Sequence, residues 1–135
     1  MKELAMAKCV ITLGVIVRQG AGKIEIVWAS RKLERDCLND RNGVQRFGPE
    51  RWTLIKRRLE SLASAPTLAD MRGVPGNCHP LTGDRAGQFA ISLTGSYRLV
   101  FRPDHEPIPL QADGGIDRQL VTRILIEGVV DYHGD

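Results

Sequence analysis

Cys78 to Phe101 reads CHPLTGDRAGQFAISLTGSYRLVF, and the way this stretch folds decides how the rest of the chain is arranged. Phe89, Ile91 and Leu93 alternate with Ala90, Ser92 and Thr94. A second run sets Tyr97, Leu99 and Phe101 against Arg98, Val100 and Arg102, and Thr94-Gly95-Ser96 separates the two. Successive side chains of a strand point to opposite faces, so the pattern predicts an antiparallel hairpin over residues 88–101 with one face in a core. The other face would carry Arg98 and Arg102 on a rigid strand, a platform suited to an anion. His79 and the turn Thr82-Gly83-Asp84-Arg85 lead into the hairpin.

Working outward, Leu120 to Val130 is almost continuously apolar and β-branched. That composition predicts a strand in the middle of a sheet, buried on both faces. Pro103 to Arg118 holds three prolines and Gly114-Gly115, which predicts a loop. On the N-terminal side, KIEIVW at residues 23–28 alternates and predicts the first strand of the domain. Ser30 stands where an N-cap belongs, ahead of a helix over residues 31–39 that Asn42-Gly43 would break. Pro49 suits the first position of a second helix. Along it Trp52, Ile55, Leu59 and Leu62 recur at helical spacing, and a short helical piece is expected around Leu68 to Met71. The fold class is therefore α+β, with two N-terminal helices packed on one face of a small antiparallel sheet.

The chain has 135 residues, 42% hydrophobic and 26% charged, which suits one globular domain with a real core. Residues 1–22 are set apart as an N-terminal extension and residues 23–135 as the domain. CVITLGVIV at residues 9–17 is too short to span a bilayer, which takes about 20 residues, and no small-residue cleavage site follows it. Three widely spaced cysteines without a CxxC predict reduced thiols and a cytoplasmic protein. The net charge of +3 is compatible with a nucleic-acid partner without requiring one. Arg51, Lys56, Arg57 and Arg58 lie opposite the apolar stripe of the second helix. They read either as a solvated face or as a surface that tracks phosphates.

His79-Pro-Leu-x-Gly-Asp-Arg85, Gly87-Gln88-Phe89, Tyr97-Arg98-Leu99-Val100-Phe101, Asp113-Gly114-Gly115-Ile116-Asp117 and Asp131-Tyr132-His133 occur in that order. Together, from about Lys23 to His133, they resemble the HigB branch of the RelE toxin superfamily. The resemblance implies a small bacterial toxin with a compact antiparallel sheet, neutralised by a HigA-like helix-turn-helix antitoxin. It also implies endonucleolytic cleavage of mRNA on the ribosome, without membrane, metal or cofactor.

Metal-independent RNA cleavage uses the 2′-hydroxyl as nucleophile. It needs a base for that proton, an acid for the leaving 5′-oxygen and cations for the phosphorane. Histidine is suited to the proton transfers and arginine to the non-bridging oxygens. His79, Arg98, Tyr132 and His133 are thus the catalytic candidates, with Tyr132 stacking on a base or supplying a proton. Arg85, Arg102, Thr82, Lys56 and Arg57 are the candidates for holding RNA phosphates. Cys78, His79 and His133 do not read as a metal site, because adjacent residues rarely turn to one ion.

Thr82 departs from the pattern, since many members carry lysine there. Threonine can hydrogen-bond a phosphate but brings no charge, leaving Arg85 or Arg102 to compensate. Two alternatives stay open: a ParE-like toxin that binds a protein such as gyrase and cuts nothing, against which the terminal Asp131-Tyr132-His133 speaks, and a degenerate member that only binds its antitoxin, which Thr82 supports.

Overall fold

The computed structural model describes residues 23–132. His133 and the extension at residues 1–22 lie outside them. Strand β1 (Glu25–Trp28) is followed by helices α1 (Arg31–Cys37), α2 (Asp40–Phe47) and α3 (Pro49–Ser64), then by strands β2 (His79–Pro80), β3 (Phe89–Ser92), β4 (Tyr97–Pro103) and β5 (Arg123–Asp131). The strands form one sheet in the order β1-β5-β4-β3-β2. Short 3₁₀ turns fall at Leu68–Met71, Gly83–Arg85 and Arg118–Leu120.

The hairpin forms as its alternation requires. Phe89 pairs with Phe101 and Ile91 with Leu99, and the two phenylalanine rings stack with centroids 5.7 Å apart. Ser30 caps α1 by accepting from the Leu33 amide at 3.1 Å. Pro49 opens α3, preceded by Gly48 at φ +86°, a left-handed conformation that glycine adopts without a steric penalty. Trp52, Ile55, Leu59 and Leu62 are all buried in one cluster with Phe89, Ile91, Leu99, Phe101, Ile124 and Ile126. The helices thus cover one face of the sheet. Burying the four α3 side chains is worth roughly 6–12 kcal/mol before chain entropy is subtracted.

Three expectations are corrected. First, there are three helices ahead of the hairpin. Asn42 and Gly43 lie inside α2, because Asn39 supplies a second cap, accepting from the Asn42 amide at 2.9 Å, and Gly43 seats the Trp52 ring. Second, the sheet is mixed. The three helices carry the chain back across the sheet before it re-enters, so β1 pairs parallel with β5 while the other pairings are antiparallel. Third, β5 is interior but starts at Arg123, and Leu120 sits 58% exposed in the turn before it. Its buried residues, Ile124 and Ile126, face the helices, while Leu125 between them and Glu127 to Val130 after them are half-buried. Among the described residues no helix covers the other face, so β5 is not buried on both sides. The loop after β4 contains a bridge between Leu110 and Ile116, so it is more ordered than its prolines suggest.

A bulge shapes β5. Phe101 pairs with Ile126, but Val100 pairs with Gly128, leaving Glu127 as the extra residue. Gly128 takes φ +153° there.

Candidate functional site

The helix-free face of the sheet collects most of the residues singled out above. In register, His79 lies opposite Ala90 and Ala90 opposite Val100. One step along, Ser92 lies opposite Arg98 and Arg98 opposite Val130. Leu81, Ala90 and Val100 form a small buried cluster on this side, with Val130 and Tyr132 packed against it. His79 and Arg98 stand two strand spacings apart and two residues apart along the strands. Their Cα atoms are thus about 12 Å apart, a gap that two long side chains can share across one ligand.

Each polar side chain of this face has defined neighbours. His79 Nδ1 lies 2.9 Å from the Asn77 carbonyl oxygen. A carbonyl only accepts, so Nδ1 carries the proton and Nε2 is the basic nitrogen of the neutral ring. Arg98 Nη1 donates to the carbonyls of Gly95 at 2.9 Å and Tyr97 at 3.0 Å, holding the hairpin loop. Arg102 pairs with Glu127 at 2.9 Å. Arg85 donates to Gln88 Oε1 at 3.0 Å, and its guanidinium lies 5.7 Å from the centre of the Tyr132 ring. The Tyr132 amide donates to the Ser96 carbonyl at 2.9 Å, fixing Tyr132 beside the hairpin loop. Ser96 Oγ donates to Asp131 Oδ1. Thr82 is exposed at the head of the Gly83–Arg85 turn, and its carbonyl accepts from the Arg85 amide at 3.2 Å.

Lys56 and Arg57 are not brought to this face. They lie on α3, whose apolar stripe meets the sheet and whose polar side therefore turns away from it. Lys56 pairs with Asp40 at 2.9 Å. The charge run is in part a clamp between helix and hairpin. Arg51 stacks on the Tyr97 ring at 3.6 Å and donates to Thr94 Oγ1 at 2.9 Å. Arg58 donates to the Ser92 carbonyl at 3.1 Å, and burial, with the nearby charge of Arg57, lowers its pKa.

The sequence names Gln88 and Asp131 as motif residues, and Asp131 as a possible carboxylate partner of Arg98, but it gives neither Glu127 nor the pairings of Gln88 with Arg85 and Asp131 with Ser96. Glu127-Gly128 inside an apolar strand was the available signal, since glycine within a strand marks a bulge. In chemical terms the face combines a proton acceptor, three guanidiniums and a phenol over an apolar floor. Among the described residues no cluster of His, Cys, Asp and Glu could hold a metal ion, and no helix is long and apolar enough to cross a membrane.

No protein-family model matches the chain, and no curated protein matches it. Two solved structures are similar to it. One is a YoeB/ParE toxin from Agrobacterium tumefaciens, 18% identical, covering 82% of this chain and 100% of that one, with a TM-score of 0.48. The other is a YoeB–YefM complex from Staphylococcus aureus, 17% identical, covering 83% and 99%, with a TM-score of 0.45.

Proposed function

We propose that this chain is the toxin of a type II toxin–antitoxin pair and acts as a metal-independent endoribonuclease on ribosome-bound mRNA. The observation that carries this reading is the convergence of His79, Arg85, Arg98, Arg102 and Tyr132 on one helix-free sheet face. All but Arg102 come from the separate segments that resemble the HigB branch. His79 Nε2 takes the proton of the RNA 2′-hydroxyl. The 2′-oxygen bonds to phosphorus and the 5′-oxygen leaves with a proton, giving a 2′,3′-cyclic phosphate and a 5′-hydroxyl. His133 is the acid that the resemblance supplies for that leaving oxygen. Arg85 and Arg102 hold the non-bridging oxygens, and Tyr132 stacks on a base. A HigA-like antitoxin would cover this face, and the cell compartment is the cytoplasm.

The test is induction of the chain in bacteria with and without its antitoxin, followed by mapping of mRNA 5′ ends. New 5′-hydroxyl ends and growth arrest are expected from the wild-type chain, and neither from His79→Ala. Growth arrest that persists in His79→Ala would overturn the catalytic assignment.

A toxin that binds a protein target and cuts nothing is the second reading. One observation favours it. Arg102 already donates through Nε to Glu127 and Arg98 through Nη1 to loop carbonyls, so part of each guanidinium serves the fold rather than a phosphate. Arrest without new RNA ends would select this reading.

A further inference from the structure

The loop between β4 and β5 is folded into an arm. The Gln111 amide donates to the Gly115 carbonyl at 2.7 Å, and the Asp117 amide donates to the Pro109 carbonyl at 2.9 Å, closing a small hairpin through the Leu110–Ile116 bridge. The arm leaves Leu110 59% and Ile108 37% exposed. Between it and the turn at Ala86 and Gly87 runs a groove of about 740 Å³, walled by Pro107, Ile108 and Leu110 and carrying one ionisable side chain, Glu106.

Two features tie this groove to the candidate site. Ala86 directly follows Arg85, whose guanidinium lies over Tyr132. Glu106 and Ile108 also line a second hollow with Arg102 and Arg123. The turn that carries Arg85 thus supplies one wall of the groove through Ala86 and Gly87, and Arg102 borders the hollow that adjoins it at Glu106 and Ile108. Among the described residues Glu106 makes no hydrogen bond or ion pair, so its carboxylate stands as an acceptor on an otherwise apolar wall. An unpaired anion between two arginine-bearing elements is poorly suited to phosphate. It is suited to a group with N–H donors that is joined to a phosphate a few ångströms away.

We propose that this groove is a base subsite, taking one unstacked guanine whose adjoining phosphate is held by Arg85 or Arg102. The proposal rests on the endoribonuclease reading and names the base that flanks the bound phosphate. A carboxylate offers two parallel acceptors. Guanine is the base whose Watson–Crick edge presents two adjacent N–H donors, N1–H and the N2 amino group. Its faces would lie against Ile108 and Leu110, as single-stranded RNA bases are held on apolar or aromatic surfaces and read along their edges.

The test uses the full chain with labelled isoleucine and leucine methyl groups, titrated with each of the four ribonucleoside 5′-monophosphates. Guanosine monophosphate is expected to move the Ile108, Leu110 and Ile116 methyl signals and to bind at least tenfold more tightly than uridine monophosphate. Glu106→Gln should weaken it by about tenfold, the usual loss when a hydrogen bond to a charged group is removed. Leu110→Ser should weaken all four nucleotides together. Equal affinity for the four bases, or no effect of Glu106→Gln, would overturn the subsite. So would methyl signals that move only on addition of antitoxin, which would make the groove a protein-docking site. RNA cleavage by Glu106→Gln at unchanged positions would sink the subsite and leave the nuclease reading standing. A wild-type chain that cuts no RNA yet binds guanosine monophosphate here would do the reverse.

Discussion

Gly43 gives Trp52 its seat: a Cβ added to Gly43 would fall 2.3 Å from Trp52 Cδ2 and 2.4 Å from Cε2. The two residues lie on neighbouring helices, α2 and α3, and Trp52 is 1% exposed. The ring cannot retreat, because Phe47 stacks on it with centroids 6.4 Å apart and its Nε1 donates to Asp40 at 2.9 Å. Gly43→Ala is therefore expected to destabilise the fold by about 1–3 kcal/mol through overpacking. This outweighs the gain of about 1 kcal/mol that alanine brings to an ordinary helix interior. Urea unfolding of the two chains measures the difference, and a more stable variant would contradict the packing described.

Asp40 is the acid of that corner. Hydrogen bonds from Lys56 and from the Trp52 indole hold its carboxyl below the usual carboxylate range. A lowered folded-state value means that the contribution is present above the ordinary aspartate pKa and lost as pH falls through the folded one. Removing the carboxylate should flatten the acid limb of the stability curve, so Asp40→Asn and wild type should converge at low pH. Thermal unfolding between pH 2 and pH 6, about the range in which carboxylates titrate, checks this. Curves that stay parallel throughout would show that Asp40 takes no part in the acid loss.

The two described cysteines are expected to be inert near neutral pH. Burial pushes the Cys37 thiol up to about 12, with the charge of Asp36 adding, and pushes Cys78 up to about 11, against the opposing pull of Arg118. The thiolate is the reactive form, so site-resolved alkylation of the folded chain should label both slowly until the fold is unfolded by denaturant. Raised thiol values also add stability that is intact below the ordinary thiol pKa and lost as pH climbs through the folded ones. Fast native labelling at Cys78 would mean that its surroundings open.

Thr82 provides a gain-of-function test. It is exposed at the head of the turn that carries Arg85, so lysine fits there at little cost to the fold. If the face cleaves RNA, Thr82→Lys should raise the rate tenfold or more, given that removing one charge-stabilising donor from an enzyme costs about 10²–10³. Cleavage rates on programmed ribosomes measure it. No change would mean that Arg85 or Arg102 already fills the position.

The hairpin was readable because strict alternation has one structural meaning, and Ser30 and Pro49 mark helix starts through purely local chemistry. Helix α2 was hidden for the opposite reason. Asn42-Gly43 carries a local turn signal, and only the distant Trp52 ring explains why a residue without a side chain stands inside a helix. The parallel pairing of β1 with β5 was equally hidden, since no local pattern reports which strands the intervening chain brings together. Within the site, the face that carries Arg98 and Arg102 followed from periodicity. Their partners did not, because Glu127 reaches Arg102 only through the register of two strands 25 residues apart in sequence. Periodicity puts Lys56 and Arg57 opposite the apolar stripe of α3, but it does not say which side of the sheet that helix covers, so it leaves open whether they join Arg98 and Arg102.

The bulge at Glu127 is a phase shifter. Before it, even-numbered residues of β5, Ile124 and Ile126, enter the helix-side core, and after it the odd-numbered Val129 does so while Val130 and Tyr132 join the opposite cluster. An uninterrupted strand would have carried Tyr132 to the far side, away from Arg85. One inserted residue therefore decides which surface receives Val130 and Tyr132. A deletion of that single residue would exchange the two surfaces for Val129, Val130 and Tyr132 while leaving each side chain chemically unchanged.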